Sequence, residues 1–449
     1  MPLSELAQVV HGTLAGADAR FSGVSSDTRT LAEGDLFVAL TGPNHDGHDF
    51  LGQAAGAGAA GALVSRASGV GLPTVTVADT RRALGGLAAC WRRRFALPVV
   101  AVTGSNGKTT VKNMIHTILG ETGPGLATAG NLNNDIGVPL TLLRLRPTDR
   151  YAVVEMGMNH PGEIEYLARL TRPTVAVITN AGEAHLAGLG GVEQVARAKG
   201  EIFAGLGEDG IAVINADDPH AGLWRQLAAP RRCLSFGLEQ SADVSADYAL
   251  DPEGSTLHLK TSQGEITMRL PLLGRHNVSN ALAAAGAALA AGARLEDIRH
   301  GLEKLKRAAG RLEVKTGVNG ARVLDDTYNA NPASLAAGLE VLKSAFGERV
   351  LVLGDMGELG AAAPDIHRRA GELTRRLGIE RLYAVGELAR LTVEGYGQGA
   401  RHFTSHAELA RALRPCMHGA MTVLVKGSRA MHMERIVQDI APHGADPGV

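Results

Sequence analysis

Eight consecutive residues, Thr103-Gly104-Ser105-Asn106-Gly107-Lys108-Thr109-Thr110, lie between the apolar run PVVAVTG and the helical pattern KTTVKNMIHTIL. A strand, a glycine-containing loop and a helix in that order form a phosphate cradle, because backbone amides and the helix N-terminus converge on anionic oxygens. Lys108 would reach the terminal phosphates of a nucleotide, and the Thr109 hydroxyl sits where phosphate loops ligate magnesium. Gly104 and Gly107 permit close backbone approach. The general pattern has a glycine five residues before Gly107, where this chain has Val102, so the shorter TGxNGKT form carries the reading. A bare GKT is often only a glycine-rich turn with an exposed lysine. The strand before it and the helix after it favour phosphate binding.

Three further residues could serve that chemistry. Glu155 ends the apolar run YAVVE, so its carboxylate should emerge at the carboxyl edge of a parallel sheet beside the loop, as a magnesium ligand rather than a solvated strand-end acid. His185, in the loop AGEAHL after the run TVAVITN, is placed to ligate a second metal or to orient phosphate. Lys199 lies in the helical run VEQVARAKGEIF, and its spacing alone describes a solvated surface lysine.

These side chains need a sheet to hold them. Apolar runs at YAVVEMG, TVAVITN and IAVINAD alternate with helical segments, as a doubly wound parallel sheet requires. Before them, short β-like runs alternate with small-residue helical stretches in a compact α/β unit. After Arg311 the pattern restarts with RVLDDTY, RVLVLGDM, RLYAVG and MTVLVKGS, a second open α/β sheet of Rossmann type. A chain of 449 residues exceeds what one core supports, since single cores stop growing at roughly 250–300 residues. The expectation is an α/β protein of three domains: 1–85, small and N-terminal; 86–308, central, with the mostly parallel doubly wound sheet and the phosphate loop; and 309–449, C-terminal and Rossmann-like.

Composition narrows the function classes. Lys plus Arg number 45 against 46 Asp plus Glu, so no general field attracts nucleic acid or an anionic membrane, and any anion must be captured locally. The amino terminus lacks the basic start and apolar core of a signal peptide, and no apolar stretch reaches spanning length, so a cytoplasmic location without membrane insertion is expected. Cys90, Cys233 and Cys416 are too few and too far apart for a disulfide framework or a clustered zinc site.

TGSNGKTT, EMG, AGEAHL, ARAKGEIF, GRHNVSNALAA, Gly310-Arg311 and LDDTYNANP occur in one order along nearly the whole chain. In that order they resemble the Mur ligase family. The segments SSDTRTLAEGDLFVALTGPNHDGHDF, GNLNNDIGVPLTLLRL, EMGMNHPGEI, LVLGDMGELG and LVKGSR resemble the member acting on D-alanyl-D-alanine, and the DNPR typical of the diamino-acid-adding sibling is absent. The resemblance implies ATP and magnesium, or manganese, as cofactors. As substrates it implies UDP-N-acetylmuramoyl-tripeptide and D-alanyl-D-alanine, joined through an acyl phosphate by a monomer. It assigns Lys199 to a lysine that several members carry as a carbamate and use on a second magnesium. It places Asn277 and Asn280 beside the nucleotide, Arg311 at its phosphates and Asp326 on its ribose. Asn280 as a cap of a helix starting at ALAAAG, and Asp326 as a turn residue, are the plainer readings.

Ser26, Asp27, Thr28 and Arg29 match a segment associated with the UDP end of the precursor, where hydroxyls and a guanidinium suit uracil and diphosphate oxygens; an ordinary polar turn is the alternative. Asn131, Asn133 and Asn134 suit a peptide substrate, and Lys426, Ser428 and Arg429 bring cations to a strand end. Three other readings share parts of this pattern. The diamino-acid-adding sibling and folylpolyglutamate synthetase would use the same ATP chemistry on other acceptors, and a nucleotide switch would bind ATP without making a bond.

Overall fold

The computed structural model describes residues 1–67, 69–182 and 190–442. It contains three sheets, each with its own apolar core. The first, of five strands, runs in the order Thr13–Ala15, Thr74–Thr76, Gly61–Val64, Leu36–Val38, Val24–Ser25, parallel except for the first pair. Helix Thr80–Arg92 leaves it and runs unbroken past position 85. Its Leu84 and Leu87 pack on the first core and its Ala88 on the second, so one rigid element belongs to both units.

The second sheet has nine strands. Its parallel part places Val99–Thr103 between Ala152–Glu155 on one side and Val175–Ile178 on the other, with Ile211–Asn215 and Arg232–Phe236 beyond. The strand order reverses at Val99–Thr103, which opens a crevice at its carboxyl end where ligands of such sheets bind. An antiparallel meander, Val244–Asp251, Gly254–Thr261 and Gly264–Leu270, extends the sheet.

Helix Lys108–Gly120 forms because Val111, Met114, Ile115, Ile118 and Leu119 recur at helical spacing and line one buried face. Helix Arg275–Ala290 lies beside it, and its alanines are buried on nearly every side. Small side chains let it sit close to the sheet, so an Ala-rich stretch is central core here.

The third sheet has six strands in the order Glu313–Thr316, Arg322–Asp326, Met421–Lys426, Glu348–Gly354, Arg381–Val385, Ala400–Phe403, parallel after the first pair. Its carboxyl edge faces the crevice of the second. No helix among the described residues is long and apolar enough to cross a membrane.

Candidate active site

The phosphate loop is fastened to the segment that follows strand Val175–Ile178. Ser105 N–H donates to Asn180 O at 3.0 Å, Asn106 N–H donates to Asn180 Oδ1 at 2.9 Å, and Thr179 Oγ1 donates to Asn106 O at 2.6 Å. A β-carbon on Gly104 would lie 1.8 Å from Thr179 Oγ1, and one on Gly107, at φ 81°, 2.4 Å from Asn280 Oδ1. Glycine is therefore demanded twice, by contact as well as by conformation. Lys108 Nζ bends back onto the loop carbonyls, 2.8 Å from Gly104 O and 3.3 Å from Ser105 O. Burial lowers its pKa, opposed by the charge of Glu155.

Glu155 is the register partner of Val102, so its carboxylate emerges beside the loop as expected. It is 2% exposed. Its Oε1 accepts from Asn133 Nδ2 at 2.9 Å, while Oε2 is buried with no hydrogen-bond partner. An orphaned carboxylate oxygen in such a place is costly unless a cation completes it. Among the described residues no three His, Cys, Asp or Glu side chains converge on a metal position. Glu155 with the Thr109 hydroxyl fits the few-ligand mode of magnesium, which keeps waters and takes phosphate oxygens. Thr109 Oγ1 accepts from Arg311 Nη2 at 3.0 Å and retains a second lone pair.

Two further lysines are buried near the loop, Lys112 within reach of the Glu155 charge and Lys199 within reach of the Lys108 ammonium. Lys112, which sequence reasoning passed over, is buried one turn beyond Lys108 and donates to Thr128 O at 2.8 Å, while Thr128 Oγ1 accepts the Glu155 N–H at 2.9 Å. Lys199 is not the solvated surface lysine its spacing described: it is 2% exposed. No hydrogen bond reaches its Nζ among the described residues. Burial pushes its pKa well below 10.5, and the nearby Lys108 ammonium lowers it further. His185 lies outside the described residues.

The C-terminal unit supplies the opposite wall. The Arg311 guanidinium stacks 4.1 Å from the centroid of the Tyr328 ring while reaching Thr109, a cation–π contact that aims it at the loop. Asp326 and Lys426 end neighbouring parallel strands in register and pair at 2.5 Å. Two residues expected on different ligands thus answer each other, and Asp326 is a strand end rather than a turn residue. Burial raises the Asp326 pKa, and Lys426 opposes the rise. His276, in helix Arg275–Ala290 of the central unit, is pushed down to about 4 by burial and by Lys426, which keeps its imidazole neutral.

Asn280 does not cap a helix. Its helix begins at Arg275, so Asn277 and Asn280 stand one turn apart inside it, linked at 3.1 Å from Asn280 Nδ2 to Asn277 Oδ1. Asn331, also missed, caps helix Pro332–Lys343 and donates to Asn106 Oδ1 at 2.8 Å across the crevice. Its role as a cap was legible from the proline after it, but its partner was not.

One cleft of about 2340 Å³ takes in the loop from Ser105 to Thr110, Glu155, Asn277, Asn280 and Arg311. It continues past Asp326, Lys426 and Arg429 on one side and past Asn131, Asn133 and Asn134 on the other. Asn134 Oδ1 also accepts from Gly137 N–H at 2.9 Å, at the start of helix Gly137–Leu142. Gly104 and Lys199 lie beneath the lining. Ser428 is buried against the neighbouring loop, its N–H donating to Asp355 O at 2.9 Å. Ser26 to Arg29 do not line this cleft. Arg29 is paired with its own Asp27, whose pKa its guanidinium lowers to about 2, and Thr28 Oγ1 donates to Gln53 Oε1 at 3.2 Å.

Family models match all three units: Mur ligase family, catalytic domain, over residues 20–92; Mur ligase middle domain over 102–288; and Mur ligase, glutamate ligase domain, over 310–429. The UDP-N-acetylmuramoyl-tripeptide--D-alanyl-D-alanine ligase of Escherichia coli is 44% identical over 98% of both chains. The chain belongs to the Mur ligase family. The Bacillus subtilis ligase of the same name is 37% identical over 98% of both chains. A crystal structure of MurF from Acinetobacter baumannii is 39% identical, covers 98% of both chains and superposes with a TM-score of 0.93. The Thermotoga maritima MurF in complex with ADP is 28% identical, covers 94% of this chain and 97% of that one, and has a TM-score of 0.83. The three-sheet arrangement is therefore the three-domain Mur ligase fold.

Proposed function

We propose that this Mur ligase joins D-alanyl-D-alanine to UDP-N-acetylmuramoyl-tripeptide at the expense of ATP, in the synthesis of cell-wall precursor. The carrying observation is the meeting of the phosphate loop, the unpartnered Glu155 oxygen and the cations of the C-terminal unit in one cleft. The printed names of relatives similar over the full length supply the two substrates. The domains 1–85, 86–308 and 309–449 are read as holding the UDP end, the ATP, and the incoming dipeptide.

A carboxylate in water resists nucleophilic attack and offers a poor leaving group. The precursor carboxylate therefore attacks the terminal phosphorus of ATP, ADP departs, and an acyl phosphate forms. Lys108 swings from the loop carbonyls to the transferring oxygens, and Arg311 reaches the same region from the opposite wall. Magnesium, held by Glu155 and Thr109, would add positive charge there. The dipeptide amine attacks the acyl carbon, phosphate leaves and the nitrogen loses a proton. Asn331 on Asn106 and Arg311 on Thr109 draw the walls together, which excludes water from the acyl phosphate. A carbamate on Lys199 is part of this reading. Carbon dioxide adds to the neutral amine with loss of a proton, burial supplies that neutral amine, and the neighbouring Lys108 ammonium favours the resulting anion.

Glu155→Gln is expected to raise the magnesium concentration needed for half-maximal rate by about tenfold or more, because the amide is a weaker ligand for a hard cation. Titration of the rate with magnesium checks it, and an unchanged requirement removes Glu155 from the metal. The function itself is tested by following phosphate release and product mass with ATP, magnesium, UDP-N-acetylmuramoyl-tripeptide and either D-alanyl-D-alanine or single amino acids. Release that needs both precursor and dipeptide and yields UDP-pentapeptide supports the proposal. Product with a diamino acid only assigns the sibling's reaction, and hydrolysis without product leaves a nucleotide switch.

A further inference from the structure

Lys112 is a buried cation whose charge packing does not require. It lies on helix Lys108–Gly120 among Val111, Met114 and Ile115, which face the apolar core, and it is 5% exposed. Thr109 and Asn113 on the same helix line the cleft, but Lys112 does not, so its ammonium is withheld from ligands there. Its Nζ donates to Thr128 O at 2.8 Å, and among the described residues no carboxylate hydrogen-bonds to it. Burying an ammonium on such terms is costly, and a methionine of similar volume would fill the same face without that cost. Stability therefore does not account for the residue.

Its charge bears on the site instead. Burial lowers the Lys112 pKa, the Glu155 carboxylate opposes the fall, and the Arg311 guanidinium adds to it. Lys108 responds to the same two groups, with a smaller contribution from Glu358. Three cations, Lys108, Lys112 and Arg311, thus gather around Glu155. Two of them can turn to a nucleotide, because Lys108 and Arg311 both line the cleft. Lys112 is different. It is tied to the carbonyl of Thr128, whose hydroxyl accepts the Glu155 N–H at 2.9 Å, so its charge stays beside the carboxylate whatever binds. A divalent cation approaching the free Glu155 oxygen meets that fixed positive charge in a poorly solvated place, where repulsion between like charges is strong. Nucleotide phosphates supply the negative charge that outweighs it.

We propose that Lys112 sets the metal affinity of the site: its fixed, buried charge keeps magnesium from binding firmly to Glu155 alone and makes firm binding depend on the phosphates of a nucleotide. This assignment rests on the reading of Glu155 and Thr109 as magnesium ligands. Lys112 touches neither metal nor substrate and acts through Glu155, as a positioning residue for charge. It differs in sign from a merely structural residue, because removing its charge tightens the metal site.

Manganese, whose free ion is counted by its paramagnetic resonance, would be titrated into the nucleotide-free protein for the wild type, Lys112→Gln, Lys112→Arg and the double variant Lys112→Gln with Glu155→Gln, with thermal melting of each. Lys112→Gln retains an amide donor for Thr128 O and loses the charge, and it is expected to bind manganese at least about threefold more tightly than the wild type. Lys112→Arg keeps the charge and should stay within about twofold of the wild type. Where Lys112→Gln does not melt cooperatively, Lys112→Met carries the same expectation. Manganese affinity at or below that of the wild type in the neutral variant would overturn the assignment, and so would Lys112→Arg binding as tightly as the neutral variant. The double variant should lose the gain. A gain that survives Glu155→Gln would place the metal elsewhere and sink the reading of Glu155 as its ligand, and this assignment with it.

Discussion

Lys108→Ala is expected to lower turnover by at least about 10³-fold while leaving the protein folded, because the side chain supplies charge to the transferring phosphoryl group. The structure explains why folding should survive. Lys108 is the first residue of its helix, where alanine is a better helix former, and its ammonium is buried at a desolvation cost, with two carbonyls of the loop as its hydrogen-bond partners among the described residues. Melting should therefore occur at an unchanged or higher temperature, and binding of the UDP-precursor should persist. Single-turnover phosphate release and a thermal melt on the same preparation separate the two effects. Near-normal turnover would remove the loop from catalysis.

Lys199→Met is expected to make the protein inactive and more stable. Replacing a buried ammonium that has no counter-charge among the described residues by an apolar side chain of similar volume removes a desolvation penalty and is expected to gain about 1–4 kcal/mol in carbon-dioxide-free buffer. Because the folded-state pKa lies well below 10.5, the unfolded chain binds the extra proton between those two values. Wild-type stability should rise with pH through that window, and the methionine variant should lack the rise. Bicarbonate should then stabilise the wild type alone, as a ligand bound to the native state does, and labelled bicarbonate should give a carbamate carbon resonance that the variant lacks. A methionine variant less stable than the wild type at neutral pH would mean that Lys199 has a counter-charge. An absent resonance would leave Lys199 a direct phosphate contact.

The parts of the site whose placement was legible in the sequence are those in which neighbours along the chain are also neighbours in space. The phosphate loop needs only its own strand and helix, and Glu155 needs only to end the next parallel strand, so spacing placed both. Asn180, Lys112 and Asn331 escaped for different reasons. Asn180 and Asn331 act on Asn106 from distant segments, a pairing that no local pattern carries. Lys112 stands within the apolar face set by Val111, Met114 and Ile115, and a lysine interrupting such a face is a signal that could have been used.

By itself the sequence determined the family, the ATP chemistry and the alternation of strand and helix that makes three α/β units, because these depend on short-range periodicity and on one contiguous loop. Only the tertiary structure decided which charges remain for ligands. It paired Asp326 with Lys426 and Asp27 with Arg29, buried Lys199, and left one oxygen of Glu155 without a partner. Pairing and desolvation depend on what a side chain meets across the fold, and they decide whether a charged residue is spent on structure or kept for chemistry.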